Sequence, residues 1–193
     1  HPTDLWEIGS RNEEGLLTQS TTANGFTETR RYDPATGRLE NIEAVRSGTA
    51  LYAVHYRRDL TGNIRQRDDH APVSPRTETF RYDELDRLEL WTVEAEDGRR
   101  ETTYDHDVLG NLTRIHRHTG TEHRTHEGRM EGAQLRLPHA VTTRTVGGQI
   151  TSYAHDGRGR QSTAGGREIA WTPFDLPARI TEAGQSTTFL YDA

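Results

Sequence analysis

The chain has 193 residues, enough for one ordinary domain with a buried core. Its hydrophobic fraction of 31% rises to roughly 40% when the 18 glycines are counted, a little below the globular norm, so the core should be thin. Twenty-four basic residues against 30 acidic ones leave a net charge of −6, which points away from nucleic acid and anionic membrane as partners, and the absence of cysteine excludes disulfides, thiolate zinc sites and a cysteine nucleophile.

The opening residues, "HPTDLWEIGS", lack the basic and apolar segments of a signal peptide and do not start with Met, so the chain reads as a piece of something longer. Residues 1–24 read as a leading hairpin with only a weak match to the rest of the chain. From residue 25 onward a repeat takes over, and a repeat changes the meaning of every residue in it. Its first copy is Tyr32, Asp33, Gly37, Arg38 and Leu39, with one extra residue between Asp and Gly. The stretch "LENIEAV" at residues 39–45 is the best helix candidate in the chain, and it is short. Tyr56, Asp59, Gly62, Asn63 and Ile64 form the second copy, in the frame aromatic-x-x-Asp-x-x-Gly-Asn-aliphatic, with Arg58 at a second aromatic position. Pro72 and Pro75 then fall in a connection, where no ladder hydrogen bond is lost. The third copy is Phe80, Tyr82, Asp83, Asp86, Arg87 and Leu88, with Asp in the Gly slot. The fourth, Tyr104, Asp107, Gly110, Asn111 and Leu112, reproduces the offsets of the second and puts His106 at the second aromatic position.

After residue 115 the frame loosens. "THEGRM", with Gly128 and Arg129, reads as an off-register remnant of a copy, and Pro138 lies in another connection. Tyr153, His155, Asp156, Gly159 and Arg160 restore the pattern, "IAWTPFDLP" places Trp171 and Asp175 in the aromatic and Gly slots, and "FLYDA" begins one more copy. The Gly-slot positions 37, 62, 86, 110, 159 and 175 are separated by 25, 24, 24, 49 and 16 residues, a period of about two dozen with one copy missing or degenerate between 110 and 159. Each unit reads as strand, turn, strand. Aromatics and Thr alternate before the turn, Asp accepts a hydrogen bond from backbone two residues on, and Gly or Asn tolerates the left-handed conformation that closes a hairpin.

Tandem units built on Tyr-Asp-x-x-Gly-Asn/Arg-Leu resemble the YD repeats of the RHS family, which is related to the shells of bacterial toxin complexes and of teneurins. The resemblance covers nearly the whole chain after about the first 20 residues. It implies a long strip of β-hairpins that spirals into a hollow shell, enclosing a C-terminal toxic domain in toxin members. The family's self-cleaving end, a Pro-rich segment with an Asp-Pro-x-Gly type motif, is not visible, nor is an appended toxin domain.

Several constellations invite a chemical reading. Asp105, His106 and Asp107, and His155 with Asp156, look like acid/base pairs, but they occupy turn slots where other copies carry Tyr or Arg. His116, His118, His123 and His126 form the densest histidine cluster, and a zinc site across a hairpin is conceivable, yet no known ligand spacing is matched. "GRGR" at 157–160 and "GGR" at 165–167 satisfy neither the Walker nor the dinucleotide spacing. Trp6, Trp91 and Trp171 with the tyrosines suit either a sugar-binding platform or cross-strand stacking, and their regular placement before turns favours stacking. Every non-histidine cation is Arg, with Lys absent.

The expectation is an all-β chain, residues 1–193 as one repeat region with the YD repeats at 25–193. Tandem hairpins would lie side by side in one curved antiparallel sheet with an aromatic row per face, forming a segment of a hollow spiral shell. The residues expected to shape it are Tyr32, Asp33, Gly37, Tyr56, Asp59, Gly62, Tyr82, Asp83, Asp86, Tyr104, Asp107, Gly110, Asn111, Tyr153, Asp156, Gly159, Trp171 and Asp175. An isolated strip of this kind leaves two open edges, and repeat arrays normally need caps, which is the physical reason to expect a larger shell around it. The expected role is structural, without catalysis, cofactor or metal. The partners would be the rest of the same shell and an enclosed toxin domain, with secretion or delivery proteins, in a secreted or cell-surface setting. A surface adhesin that binds glycans or a protein is the rival.

Overall fold

The computed structural model describes residues 5–126, 129–131 and 134–191. Among these residues every regular element is a β-strand, and no helix is long and apolar enough to cross a membrane. By internal packing the chain falls into two units, His1–Thr102 and Thr103–Ala193.

The first unit contains β1 (Trp6–Arg11), β2 (Leu17–Thr22), β3 (Phe26–Tyr32), β4 (Leu39–Arg46), β5 (Thr49–Arg58), β6 (Ile64–Asp69), β7 (Arg76–Tyr82) and β8 (Leu88–Ala95). The boundary falls inside β9 (Gly98–His106). From β1 to β8 each strand pairs antiparallel with the next in the chain. Local hairpins need no long crossover, which suits a sequence punctuated every dozen residues. The 39–45 stretch belongs to β4 and is not helical. It is laddered on both sides, to β3 and β5, with Asn41 and Glu43 alternating against Ile42 and Ala44, and two ladders outweigh a short 3.6-residue pattern.

Register sorts this unit's side chains onto two faces. One face carries Phe26, Tyr52, Tyr56, Phe80 and Trp91, with Glu28 opposite Ala44 and Glu78 opposite Arg67. Phe26 and Tyr52 meet with ring centroids 6.2 Å apart. The other face is polar. Gln66 and Thr77 both donate to Asp68 Oδ1, at 2.8 and 2.9 Å, and Asn41 Nδ2 donates to Glu43 Oε1 at 3.0 Å.

The second unit contains β10 (Leu112–Arg117), β11 (Gly120–His126), β12 (Arg129–Glu131), β13 (Gln134–Arg136), β14 (Val141–Val146), β15 (Gln149–His155), β16 (Gln161–Ala164), β17 (Arg167–Trp171), β18 (Pro177–Glu182) and β19 (Gln185–Thr188). β12 and β13 pair with each other as an excursion, while β11 pairs directly with β14 and the meander continues in chain order to β19.

Few of the fully buried side chains are apolar. Ala44, Val93 and Ile115 are buried, against Ser20, Asn41, Asp68, Glu78, Thr92, Thr102, Asn111 and Glu122 among polar residues. The thin core anticipated from composition is therefore supplemented by buried polar groups that carry hydrogen bonds.

Two kinds of turn alternate along each meander. Ser47–Gly48, Gly147–Gly148, Gly165–Gly166 and Ala183–Gly184 have positive φ at both positions, the backbone of a type I′ hairpin turn. The other kind carries the Asp-x-x-Gly signature, with φ of +86° at Gly110 and +58° at Asp86. Apart from its chain neighbours, no heavy atom lies within 4 Å of a Cβ placed at Gly110, so substitution there chiefly tests backbone conformation. Gly110→Val should lower stability by about 1–2 kcal/mol. Ala183→Asn, at φ +49°, should raise it by about 0.5 kcal/mol because Asn tolerates that conformation better. Chemical denaturation of the two variants against the parent sequence checks both signs.

Candidate functional site

In four copies the turn is built from the same bonds. The main-chain N–H of Asp83 donates to Arg87 O at 2.9 Å and that of Asp86 to Asp83 O at 3.1 Å, a type I turn followed by a residue in the left-handed region. Asp59, Asp107 and Asp156 repeat both bonds, with Gly62, Gly110 and Gly159 in the left-handed position. The carboxylate completes the motif. Asp83 Oδ1 accepts from the N–H of Leu85 and Arg87, Asp107 Oδ1 from Leu109 and Asn111, and Asp156 Oδ1 from Arg158 and Arg160, all at 2.9–3.0 Å. These bonds favour the charged form and hold the carboxyls below their ordinary range. The leading cause is the Arg87 N–H at Asp83, the Asn111 side chain at Asp107 and the Arg160 side chain at Asp156. Asp33, whose turn is one residue longer, accepts from Ala35 and Thr36.

Several side chains at the far ends of the strands reach backward to the preceding turn. Tyr32 Oη donates to Leu17 O at 2.9 Å, Tyr82 Oη to Ile64 O at 2.9 Å, Trp171 Nε1 to Gln161 O at 2.8 Å and Tyr191 Oη to Pro177 O at 2.8 Å. In each case the acceptor lies two residues past the left-handed position of the previous turn. Arg58 holds the same slot without an aromatic ring, and its Nη1 donates to Leu39 O at 2.6 Å, again two residues past Gly37. The slot therefore calls for a long side chain with a terminal donor. Tyr56 lies under the Arg58 guanidinium at 5.6 Å and Tyr104 is partly buried, one strand period away from the slot.

The residue after the left-handed position reaches forward. Asn63 Nδ2 donates to Asp86 Oδ1 at 2.7 Å, and Arg160 Nη1 to Asp175 Oδ1 at 2.6 Å. The Arg38 guanidinium packs so closely on Gly62 that any side chain there would collide with it. Neighbouring turns are thus tied both ways.

Two turns of this row were not evident from the sequence. Asn12 takes the Asp role near the start of the chain: its N–H donates to Leu16 O at 3.0 Å, the Gly15 N–H to Asn12 O at 3.0 Å, and the Leu16 N–H to its Oδ1 at 2.8 Å. Gly15 lies 22 residues before Gly37, and an Asn in the Asp slot was the available signal. The copy missing between 110 and 159 is replaced by Leu137–Ala140, where the Ala140 N–H donates to Leu137 O at 3.0 Å. Asn111 clips onto it, Nδ2 to Pro138 O at 3.0 Å and Oδ1 to His139 Nδ1 at 2.6 Å. Leu137 packs on Gly159 as Arg38 does on Gly62. Gly128 lies outside the described residues.

The constellations with chemical promise separate. His116 binds Thr121 and Asp105, at 3.1 and 3.3 Å, and shares a face with His123, whereas His126 lies along β11 with Glu122 and Arg124. No group of three metal-ligating side chains occurs among the described residues. Arg158 and Arg160 are engaged with Asp175, and Asp156 with Arg160. The Trp residues divide: Trp6 is exposed, Trp91 sits on the aromatic face and Trp171 serves as a backward donor.

Sequence reasoning also missed Glu122. It is 2% exposed, accepts from Arg124 Nε at 2.8 Å and Arg144 Nη2 at 3.0 Å, and lies 3.5 Å from Arg117 Nη1. Hydrogen bonding to Arg144, then to Arg124, overcomes burial and holds its carboxyl down at about 2. Glu78 has Arg67 as its partner in the first unit.

No family model and no curated protein matches the chain. Among solved structures it is similar to a crystal structure of TcdB2-TccC3-TEV, with a TM-score of 0.64 and 17% identity, over 94% of this chain and 12% of the other. It is also similar to TcdB2-TccC3 without its hypervariable C-terminal region, with a TM-score of 0.53 and 12% identity, over 88% of this chain and 12% of the other. At such identities the likeness establishes the fold.

Removing one partner from a buried ion cluster leaves uncompensated charge, so Glu122→Gln should cost about 3 kcal/mol. A depressed carboxyl contributes stability above its unfolded value, and that contribution is lost as pH falls toward its folded value. Stability should therefore decline between the ordinary value of 4.5 and about 2, with Glu122→Gln flattening that decline in denaturation series run across pH. Tyr82→Phe should cost about 1 kcal/mol, because Ile64 O loses its donor.

Proposed function

We propose that the chain is a structural segment of an RHS/YD-repeat shell, in which successive hairpins form a wall that encloses or presents a C-terminal toxin cargo and performs no catalysis. The observation that carries this reading is the two-way tie between turns. A donor at Tyr32, Arg58, Tyr82, Trp171 and Tyr191 reaches the carbonyl two residues past the previous left-handed position, so those hairpins are built to receive another of their own kind. Repeat architectures bury their surface by stacking such units. The fold match supports the same reading: the chain spans 12% of the TcdB2-TccC3 structures it resembles, as one stretch of a much longer array would.

Exposed apolar residues at the turn tips add support. Leu60 and Leu85 in the first unit, and Val108 and Phe174 in the second, stand in solvent at positions where a loop would ordinarily be polar. Apolar groups arranged in this way mark surfaces that meet other protein. The partners are then the remainder of the same shell and its enclosed domain, with secretion or delivery proteins, and the setting is secreted or cell-surface.

In the full-length polypeptide, electron microscopy should place these hairpins in a continuous wall around enclosed density, and the enclosed domain should resist protease until the wall is disrupted. An enclosed domain cut as fast in the intact protein as in isolation would overturn the reading. The isolated chain should also self-associate through its turn tips. Leu60→Glu with Leu85→Glu should reduce that association in analytical ultracentrifugation while leaving the thermal midpoint nearly unchanged, since both side chains are exposed.

A further inference from the structure

The second unit holds a cleft of about 700 Å³, within the range of pockets that seat small ligands or short peptide segments. Arg124 of β11 and Arg144 of β14 line it, with His139, Tyr153, His155 and Gln161. Among the described residues lining it there is no carboxylate. The charge behind it is also unequal. Arg117, Arg124 and Arg144 converge on Glu122 alone, so one carboxylate is set against three guanidiniums. Arg124 engages Glu122 through Nε, and Arg144 through Nε and Nη2. Both Nη atoms of Arg124 and Nη1 of Arg144 make no hydrogen bond among the described residues, so these two lining residues keep donor capacity for a ligand.

The apolar part of the lining is held in place. Leu137, Pro138 and Val141 form it. Leu137 adopts φ +56°, a strained value for a residue other than glycine, with its side chain pressed on Gly159. Asn111 fixes Pro138 and His139 from the other side. A lining that combines anchored apolar groups with guanidiniums suits a ligand with an anion next to a hydrocarbon group.

We propose that this cleft binds an extended acidic segment of a partner protein, seating a carboxylate on Arg124 and Arg144 and a neighbouring apolar side chain against Leu137, Pro138 and Val141. The site stands on its own geometry, independent of whether the array encloses cargo. A planar carboxylate accepts two parallel N–H bonds from guanidinium nitrogens, and the surrounding apolar surface strengthens them by excluding water.

The test is fluorescence anisotropy at low salt with a fluorescein-labelled tetrapeptide of alternating Leu and Glu, its Leu/Gln counterpart, and inorganic phosphate as competitor. Replacing Arg144 would unbalance the buried Glu122, so the decisive variant is Gln161→Glu. It sets a negative charge on the cleft wall, while the Gln161 carbonyl that binds Trp171 belongs to the main chain. The acidic peptide should bind at least about tenfold more tightly than the Gln peptide, Gln161→Glu should remove about tenfold, and added salt should weaken binding. Equal binding of the two peptides, or binding indifferent to Gln161→Glu in a variant with an unchanged thermal midpoint, would overturn the proposal. Displacement by phosphate at concentrations equal to the peptide would also overturn it, reducing the cleft to a simple anion site.

Discussion

The structure depends on one hydrogen bond that recurs along each meander, from a side chain at the end of a strand to the carbonyl two residues past the left-handed position of the preceding turn. Within a hairpin, ladder bonds fix two strands to each other, and the turn's carboxylate fixes its own backbone. Neither device relates one turn to the next. The backward donor does, and because Tyr, Trp and Arg all serve, the constraint acts on reach and donor chemistry and not on residue identity. A terminal donor on a long side chain reaches from the end of one strand to the start of the strand paired with it, and its apolar body covers the backbone between them.

That distinction decides what could be read from the residues. Asp, Gly and their spacing were legible because a type I turn with a left-handed residue makes local demands that few side chains satisfy. Arg58 departs from the pattern when judged by its lack of a ring, yet it makes the same bond to Leu39 O. Asn12 escapes a search for the Asp signature because its side-chain oxygen caps a turn without being a carboxylate. Leu137–Ala140 has no Asp at all, and the place it fills is defined only by Asn111 and Gly159, its neighbours in space.

Glu122 was illegible for a different reason. Its meaning comes from cross-strand pairing, in which Arg124 sits opposite Arg144 and Glu122 opposite Ile115. Sequence distance gives no hint that residues 117, 124 and 144 share a partner. In a chain with so few buried apolar side chains, such ionic centres contribute order where hydrophobic packing is scarce, at the expense of desolvation that only complete pairing offsets. The same pattern recurs on a smaller scale at Glu78 with Arg67 and at Asp68 with Gln66 and Thr77.

The replacement of one Asp turn by Leu137–Ala140 has a consequence for how such a chain can change. β11 pairs directly with β14, with one register shift at Thr125/His126, although β12 and β13 lie between them in the chain. Its ties to the neighbouring turns are the Pro138 carbonyl and the His139 ring, both held by Asn111, and the Leu137 side chain resting on Gly159. The row therefore accepts a copy with no Asp where its neighbours supply the contacts, so a chain of this kind can lose its signature at one position and keep its place in the row.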